Sequence, residues 1–172
     1  MELGSGYIVL TDISGYTGFV RMHRTSEVHA EMVLTDLLEA TIDESRAPLV
    51  LNRIEGDGIM FFASAPGTAE VARGLLRQVL RLFHAFAMKE RELVSCNLCV
   101  CEACRSIDGL RLKAILHHGT VGVKRVKQFE ELTGEDVIIA HRLSKNRVAS
   151  NQYILMTEQF HRLAGDVEGV HG

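Results

Sequence analysis

The chain has 172 residues, of which 47% are hydrophobic and 24% are charged. These fractions are typical of a soluble globular domain and exclude an intrinsically disordered chain. The net charge is −3, whereas general nucleic-acid-binding proteins carry a basic surplus. No apolar run approaches the roughly 18 residues that a membrane span needs, and the N-terminus shows no export signal. We therefore expect a cytoplasmic protein that binds neither nucleic acid nor membrane.

Few helix or strand breakers interrupt the chain, which favours one compact domain. The two prolines, Pro48 and Pro66, both lie between segments of regular hydrophobic spacing. We expect a single domain over residues 1–164, with a cysteine-rich insert at about residues 95–108. Residues 165–172 are predicted to form a flexible tail.

Hydrophobic periodicity and turn residues predict the elements in chain order. A buried strand covers residues 7–11, and a short helix follows it to residue 19. A longer helix runs from residue 25 or 26 to about residue 43. Two strands, 49–54 and 59–63, form a hairpin, and a helix extends from residue 67 to about residue 90. The remaining elements are strands at 110–117 and 119–123, a helix at 134–145, a strand at 153–157 and a helix at 158–163.

This order of elements indicates an α+β fold, in which helices cover one face of a mixed sheet. His117 and His118 are neighbours on a predicted strand, so their side chains point to opposite faces. Basic residues follow the next strand at positions 124, 125 and 127, where we expect a solvated loop.

Asp12 is the first candidate site residue, because it lies where the first strand ends and a glycine-containing turn begins. A carboxylate at such a point can hold a metal ion, and the amides of the following turn can meet phosphate oxygens. The alternative is that Asp12 only caps the short helix.

Asp57 lies at the tip of the predicted hairpin, next to Gly58. Asp-Gly is also a favoured turn pair, so turn formation alone could explain it. If the first strand lies beside this hairpin, Asp12 and Asp57 reach the same end of the sheet. Two carboxylates there suit Mg²⁺ or Mn²⁺ bound together with a triphosphate.

All four cysteines lie within nine residues, at Cys96, Cys99, Cys101 and Cys104. In a reducing compartment such a cluster indicates metal binding, and two Cys-x-x-Cys pairs can place four sulfurs around one Zn²⁺. We expect a structural zinc site that pins the insert against the sheet or a partner. A zinc ion shared between chains, an iron–sulfur cluster and unliganded thiols are the alternatives.

Four short blocks, in this order, resemble signatures of the class III adenylyl and guanylyl cyclases. Residues 10–17 resemble the first signature, in which Asp-Ile precedes Gly, an aromatic residue and Thr. Gly56-Asp57 resembles the second, and residues 114–119 resemble a strand that ends in His-x-Gly. Residues 134–143 resemble a helix that carries Asn and Arg four residues apart. An uncharacterised bacterial cyclase-like family resembles the chain more closely still in the first two blocks.

The resemblance implies a ferredoxin-like cyclase fold and a homodimer that binds ATP and forms cyclic AMP. Asp12 and Asp57 would hold Mg²⁺ or Mn²⁺, and Arg142 of the partner copy would stabilise charge on the transferred phosphate. A surface cation near the helix end is the other interpretation of Arg142. The nucleotide's phosphates would lie against the backbone of Ile13, Ser14, Gly15, Tyr16 and Thr17.

Two further positions bear on specificity and activity. Arg53 and Glu131 align with the side chains that select the purine, and a base with an acid resembles the adenine-selecting pair. Ile138 aligns with the family's ribose-orienting Asn, and an apolar side chain cannot make that hydrogen bond. The alternative function is therefore a catalytically degenerate cyclase homologue, a regulatory dimer that binds nucleotide or metal without turnover.

Overall fold

The computed structural model describes residues 2–22, 27–96, 99 and 101–166. The strands are β1 (Glu2–Ser14), β2 (Val50–Glu55), β3 (Gly58–Ser64), β4 (Arg111–Val126), β5 (Phe129–Thr133) and β6 (Ile154–Met156). The helices are α1 (Tyr16–Met22), α2 (Glu27–Asp43), α3 (Ala69–Ser95), α4 (Glu102–Arg105), α5 (Glu135–Leu143) and α6 (Glu158–Ala164). A 3₁₀ turn, Ile107–Gly109, follows α4. Residues 167–172 of the predicted tail lie outside the described residues.

The described strands form one sheet in the order β2-β3-β1-β4-β5, and β6 pairs with β4. Only the β4–β6 pairing is parallel in this sheet, so the sheet is mixed but mainly antiparallel. The order β2-β3-β1-β4, with helical crossovers before β2 and after β3, is ferredoxin-like. This confirms the predicted α+β fold class.

The two faces of the sheet pack against different helices. Alternate residues of β1 point to opposite faces, so Tyr7 and Val9 join a core shared with α1, α2, α3 and α6. Ile8 and Leu10 join a smaller core with Val137 and other residues of α5. The expectation that helices cover one face therefore differs from the structure, because α5 buries its own apolar side against the second face.

Strand β4 is continuous, whereas the sequence predicts two strands separated at residue 118. Gly119 does not form a turn, and β4 instead pairs with β1 from Arg111 to Val123. Its end continues into a hairpin with β5, a strand that the sequence analysis left out. Ion pairs join the two strands, Lys124 to Glu131 at 3.3 Å and Arg125 to Glu130 at 2.6 Å. Charged side chains dominate this hairpin, which explains why hydrophobic periodicity did not reveal it.

The cysteine-rich insert is anchored in the larger core. Ala103 and Ile107 are almost fully buried, and so is Leu110, which leads into β4. Helix α4 packs against α1, α2 and α3. None of the helices in the described part of the chain has the length and apolar character that spanning a membrane requires.

Candidate functional site

The register of the sheet places Asp12 and Asp57 side by side. Asp12, near the end of β1, pairs with Gly58 of β3, and Asp57 is the turn residue just before Gly58. A Cβ atom at Gly58 would lie 3.1 Å from the backbone oxygen of Thr11, so glycine favours this close pairing of the strands. The carboxyl groups of Asp12 and Asp57 lie near enough for the charge of Asp12 to raise the pKa of Asp57. The structure thus brings together two acidic groups from separate segments.

A lysine that the sequence analysis did not single out faces this pair. Lys113 of β4 pairs with Asp12 on the other side of β1, and its Nζ lies 2.6 Å from Oδ2 of Asp12. Burial disfavours the Lys113 ammonium, but the hydrogen bond and charge of Asp12 outweigh burial, and the pKa of Lys113 lies above its ordinary value. Strand alternation alone could not identify Lys113, because its importance depends on which β1 residue it opposes.

The carboxyl group of Asp57 is the one whose ionisation this arrangement disfavours. Burial, and then the negative charge of Asp12, raise the pKa of the Asp57 carboxyl above its ordinary value. Two carboxylates and one ammonium leave a net negative charge at the strand ends. A divalent cation would relieve the repulsion between the carboxylates, and their oxygens are the ligands that Mg²⁺ and Mn²⁺ prefer. The residues present therefore fit such an ion.

The segment predicted to meet phosphate directly follows Asp12. Ile13 is buried in the core, Ser14 ends β1, and Gly15 has a positive φ of 90° that turns the chain into α1. The hydroxyl of Tyr16 donates to Oε1 of Glu31 at 3.4 Å. Burial and the charges of Glu31 and Asp57 raise the pKa of Tyr16. Thr17 is exposed in the first turn of α1. Because the segment directly follows Asp12 in the chain, it borders the carboxylate pair.

A small depression borders the two strand ends on the side of α5, lined by Asp12, Lys113, Glu55 and His141 among others. Arg53 donates from Nη2 to Nε2 of His141 at 3.1 Å, and its Nε lies 2.5 Å from Oε1 of Glu55. Glu55 and His141 are site residues that sequence reasoning missed. His141 lies within the block at residues 134–143 and Glu55 directly precedes Gly56-Asp57, but neither occupies a position where the block carries a functional side chain.

The predicted purine-selecting residues occupy different surroundings. Arg53 lies on β2 and Glu131 on β5, the first and last strands of the sheet order. Glu131 forms its ion pair with Lys124, whereas Arg53 contacts Glu55 and His141. No hydrogen bond or ion pair among the described residues joins the two side chains, and their role in base selection stays a prediction.

Helix α5 is seated on the sheet through Asp136. His117 is fully buried, and its Nε2 lies 2.8 Å from Oδ1 of Asp136. The backbone N–H of Thr120 donates to Oδ2 of Asp136 at 2.7 Å. A Cβ atom at Gly119 would lie 2.2–2.5 Å from the carboxyl group of Asp136, so glycine is required there. The His-x-Gly block therefore positions α5.

The opposite side of α5 faces outward. Ile138 is 54% exposed, and Arg142 is exposed as well. Residues four apart share one side of a helix, so these two side chains form one outward surface. Within one chain, His141 rather than Arg142 lines the depression beside Asp12.

A second group of potential ligands lies in the insert. Nδ1 of His29, in the first turn of α2, lies 3.4 Å from Sγ of Cys99, 3.4 Å from Sγ of Cys101 and 4.0 Å from Sγ of Cys104. The four ligand atoms lie within 4.8 Å of one another. The Cys101 sulfur accepts hydrogen bonds from the backbone of Cys104 and from His29, and these lower the pKa of Cys101 to about 6.

The membership of this group differs from the sequence expectation. Cys96 was the predicted fourth ligand, but it is exposed at the end of α3 and is not part of the group, in which His29 occurs instead. His29 is about 70 residues away from the cysteines in the chain, so local spacing gave no signal for it.

Comparison with solved structures identifies the fold. The guanylyl cyclase Cya2 matches 99% of this chain over 83% of its own length, with a TM-score of 0.75 and 18% identity. A class III adenylyl cyclase-like ATP-binding protein from Pseudomonas aeruginosa matches 95% of this chain over 35% of its own length, with a TM-score of 0.76 and 15% identity. The chain has the fold of class III nucleotide cyclase domains.

Comparison of sequences identifies the family. The uncharacterized protein Rv2561/Rv2562 of Mycobacterium tuberculosis is 31% identical over 125 residues, which make up 73% of this chain. The matched region spans 57% of that relative's length. A family profile described as "Protein of unknown function (DUF2652)" matches residues 34–153. The chain belongs to the DUF2652 family.

Proposed function

We propose that this protein binds ATP with Mg²⁺ or Mn²⁺ at Asp12 and Asp57 and converts it to cyclic AMP and pyrophosphate. The observation that carries the proposal is the β1–β3 register, which places Asp12 beside the turn that holds Asp57, with Lys113 paired to Asp12. The cyclase-type fold supports it, and a protein of similar fold is named as ATP-binding.

The charges of the site suit a metal-bound triphosphate. Asp12 and Asp57 would hold the divalent ions, which in cyclase chemistry activate the ribose 3′-hydroxyl and neutralise the phosphates. Lys113 already contacts Asp12, so it is placed to meet phosphate oxygens once the carboxylates bind a cation. The backbone from Ile13 to Thr17 follows directly and would orient the phosphates.

In the reaction, the 3′-oxygen would form a bond to the α-phosphorus as the bond to the pyrophosphate oxygen breaks, and the hydroxyl proton would pass to solvent water. The chain's own residues contribute by orientation and charge. Arg142 would stabilise the charge that develops on the transferred phosphate.

Arg142 would act on the site of a second copy. It projects from the outward surface of α5 together with Ile138, whereas Asp12 faces the depression on the other side of that helix. Strand β2 also exposes Val50, Leu51 and Ile54 at the edge of the sheet. Apolar side chains exposed along an edge strand suit burial against another chain. A head-to-tail homodimer would place Arg142 of one copy near Asp12 of the other.

Two side chains on separate strands would select the base. Arg53 is held by Glu55 and His141, so its guanidinium has a fixed direction. Arg53 and Glu131 would together favour adenine over guanine, as the sequence resemblance implies.

The test is an assay of the purified chain with Mn²⁺ and either ATP or GTP, with products identified by mass spectrometry. We expect cyclic AMP from the wild type and none from Asp12→Ala or Asp57→Ala. Asp43→Ala, which changes an exposed carboxylate at the end of α2, is the matched control and should keep activity. The cyclase proposal is wrong if the wild type forms no cyclic nucleotide.

Nucleotide binding without turnover is the second candidate function, and Ile138 favours it. An isoleucine there cannot donate or accept a hydrogen bond to the ribose. Saturable binding of Mn²⁺-ATP to the wild type, lost in Asp12→Ala and accompanied by no product, would support this function. Ile138→Asn should then gain cyclase activity, because it restores the missing amide.

A further inference from the structure

We propose that His29, Cys99, Cys101 and Cys104 bind one Zn²⁺, and that the ion fixes the cysteine-rich insert to α2. This site differs from the four-cysteine site that the sequence predicts. It also uses none of the residues assigned to nucleotide binding, so it can be tested independently of that function.

The distances match a single tetrahedral ion. With Zn–S near 2.3 Å and Zn–N near 2.0–2.1 Å, tetrahedral geometry separates nitrogen from sulfur by about 3.5 Å. The distances from Nδ1 of His29 to the three sulfurs are 3.4, 3.4 and 4.0 Å. All four ligand atoms already lie within 4.8 Å of one another, near the separations of a single tetrahedral shell.

The ligand types and their number narrow the choice of metal. Three thiolates and one imidazole are soft or borderline ligands, which select Zn²⁺ over Mg²⁺, Mn²⁺ or Ca²⁺. Four protein ligands complete the tetrahedral shell, as in structural zinc sites, and leave no open position for a substrate. A multi-iron cluster spreads its ligands more widely than the 4.8 Å that contains this group.

The position of the group explains what the ion would hold together. His29 lies in the first turn of α2, and Cys104 lies in α4, which packs against α1, α2 and α3. The insert then reaches the turn after β1, because a Cβ atom at Gly15 would lie 3.3 Å from the carbonyl oxygen of Gly109. Zinc binding would therefore fix both the insert and its contact with that turn.

Cys96 provides a matched control within the same insert. It caps the end of α3 and lines the same surface depression as His29, yet it does not belong to the group. A four-cysteine site needs Cys96 and does not need His29. The proposed site needs His29 and does not need Cys96.

The first experiment measures zinc in full-length chains produced in zinc-supplemented medium. We expect about one zinc per chain in the wild type and in Cys96→Ser. Affinity for zinc should fall more than about 10-fold in His29→Ala and Cys101→Ser, since even loss of a contact that supports a ligand weakens metal sites by that factor. His29→Cys, which replaces the lost ligand, should bind zinc more tightly than His29→Ala. His84→Ala, which changes an exposed histidine of α3, should match the zinc affinity of the wild type. Absence of zinc from the wild type, or loss of zinc in Cys96→Ser, overturns the proposal.

A second measurement needs no variant that could misfold. X-ray absorption at the zinc edge of the wild type should show three sulfur ligands and one nitrogen ligand. Four sulfurs overturn the assignment of His29, and iron with inorganic sulfide overturns the choice of metal.

Hydrogen exchange tests the proposed structural role. Removal of zinc should increase amide exchange in peptides that cover the insert and residues 15–19, while peptides that cover β3 stay unchanged. Unaltered exchange in the insert would show that the ion does not fix it.

Discussion

The chain carries two groups of potential metal ligands, and they are built in opposite ways. Asp12 and Asp57 are brought together by β-sheet pairing, so their separation depends on the register of the strands. His29 and the three cysteines come from a helix and short segments beside it. One group offers oxygen ligands, and the other offers sulfur and nitrogen.

The number of ligands differs as well as their type. Two carboxylates fill only part of the coordination shell of a hard cation and leave positions for phosphate oxygens. Three cysteines and a histidine fill a tetrahedral shell completely. Asp12 and Asp57 therefore suit an ion that arrives with substrate, whereas the cysteine and histidine group suits an ion that stays bound to the folded chain.

Removing zinc should have the largest effect on stability. We expect a zinc-selective chelator to lower the free energy of unfolding by at least about 3 kcal/mol, because binding energy at a structural site is also folding energy. Removing Mg²⁺ and Mn²⁺ should lower the free energy of unfolding much less, because an ion held by two carboxylates binds more weakly than one held by four ligands. Denaturant titrations followed by circular dichroism, with zinc added back as the control, measure both effects. An equal loss of stability in the two treatments would contradict the assignment of the structural ion to the cysteine and histidine group.

Gly119→Ala should have the next largest effect, on the carboxylate side of the molecule. The new methyl group would collide with the carboxyl group of Asp136, which His117 and Thr120 hold in place. We expect destabilisation of about 1–3 kcal/mol with zinc content unchanged, measured by denaturant unfolding and metal analysis. Gly4→Ala is the control, since a Cβ atom at Gly4 meets nothing within 4 Å. Equal stability of the two variants would show that α5 is not seated in this way.

Asp57→Asn should have the smallest effect, and its sign should depend on pH. Because the pKa of Asp57 is raised in the folded protein, the folded state favours the protonated carboxyl. The stability that Asp57 contributes is therefore present at low pH and lost as the pH rises through the pKa of the folded state. With zinc present and Mg²⁺ and Mn²⁺ omitted, Asp57→Asn should stabilise the protein at pH 7 by less than about 1 kcal/mol, and the gain should vanish below about pH 4.

Mn²⁺ should reverse the relative stability of the wild type and Asp57→Asn. In excess Mn²⁺ the wild type should become more stable than Asp57→Asn, because only the wild type keeps both carboxylates. Thermal unfolding at pH 7, with and without Mn²⁺, measures the reversal. Asp43→Asn serves as the control and should respond to neither condition.

The sequence predicted those features whose cause is local. The turn chemistry around Asp57 defined the β2–β3 hairpin, and the end of a buried strand marked Asp12. Their proximity followed once β1 was placed beside that hairpin. The division of β4 into strands 110–117 and 119–123, in contrast, was wrong. Gly119 lies within the continuous strand, where it makes room for a carboxyl group 17 residues later in the chain.

The unpredicted site residues all depend on contacts between distant segments. Lys113 matters because β4 pairs with β1 in a particular register, and His29 matters because α2 packs beside the insert. Neither residue belongs to a local pattern that distinguishes it from other lysines or histidines. Such residues become visible only when the tertiary structure is known.

Strand β4 has a consequence for how the molecule responds to perturbation. It carries Lys113 at one end of its pairing with β1, then His117 and Gly119 beneath α5, and finally the hairpin with β5. The continuous pairing of β4 with β1 therefore connects the acidic pair to the residues that hold α5, the helix that carries Arg142. A shift of this strand by one residue would turn Lys113 to the opposite face and would also separate His117 and Gly119 from α5. The acidic pair and the helix that carries Arg142 should therefore lose their positions in the same step.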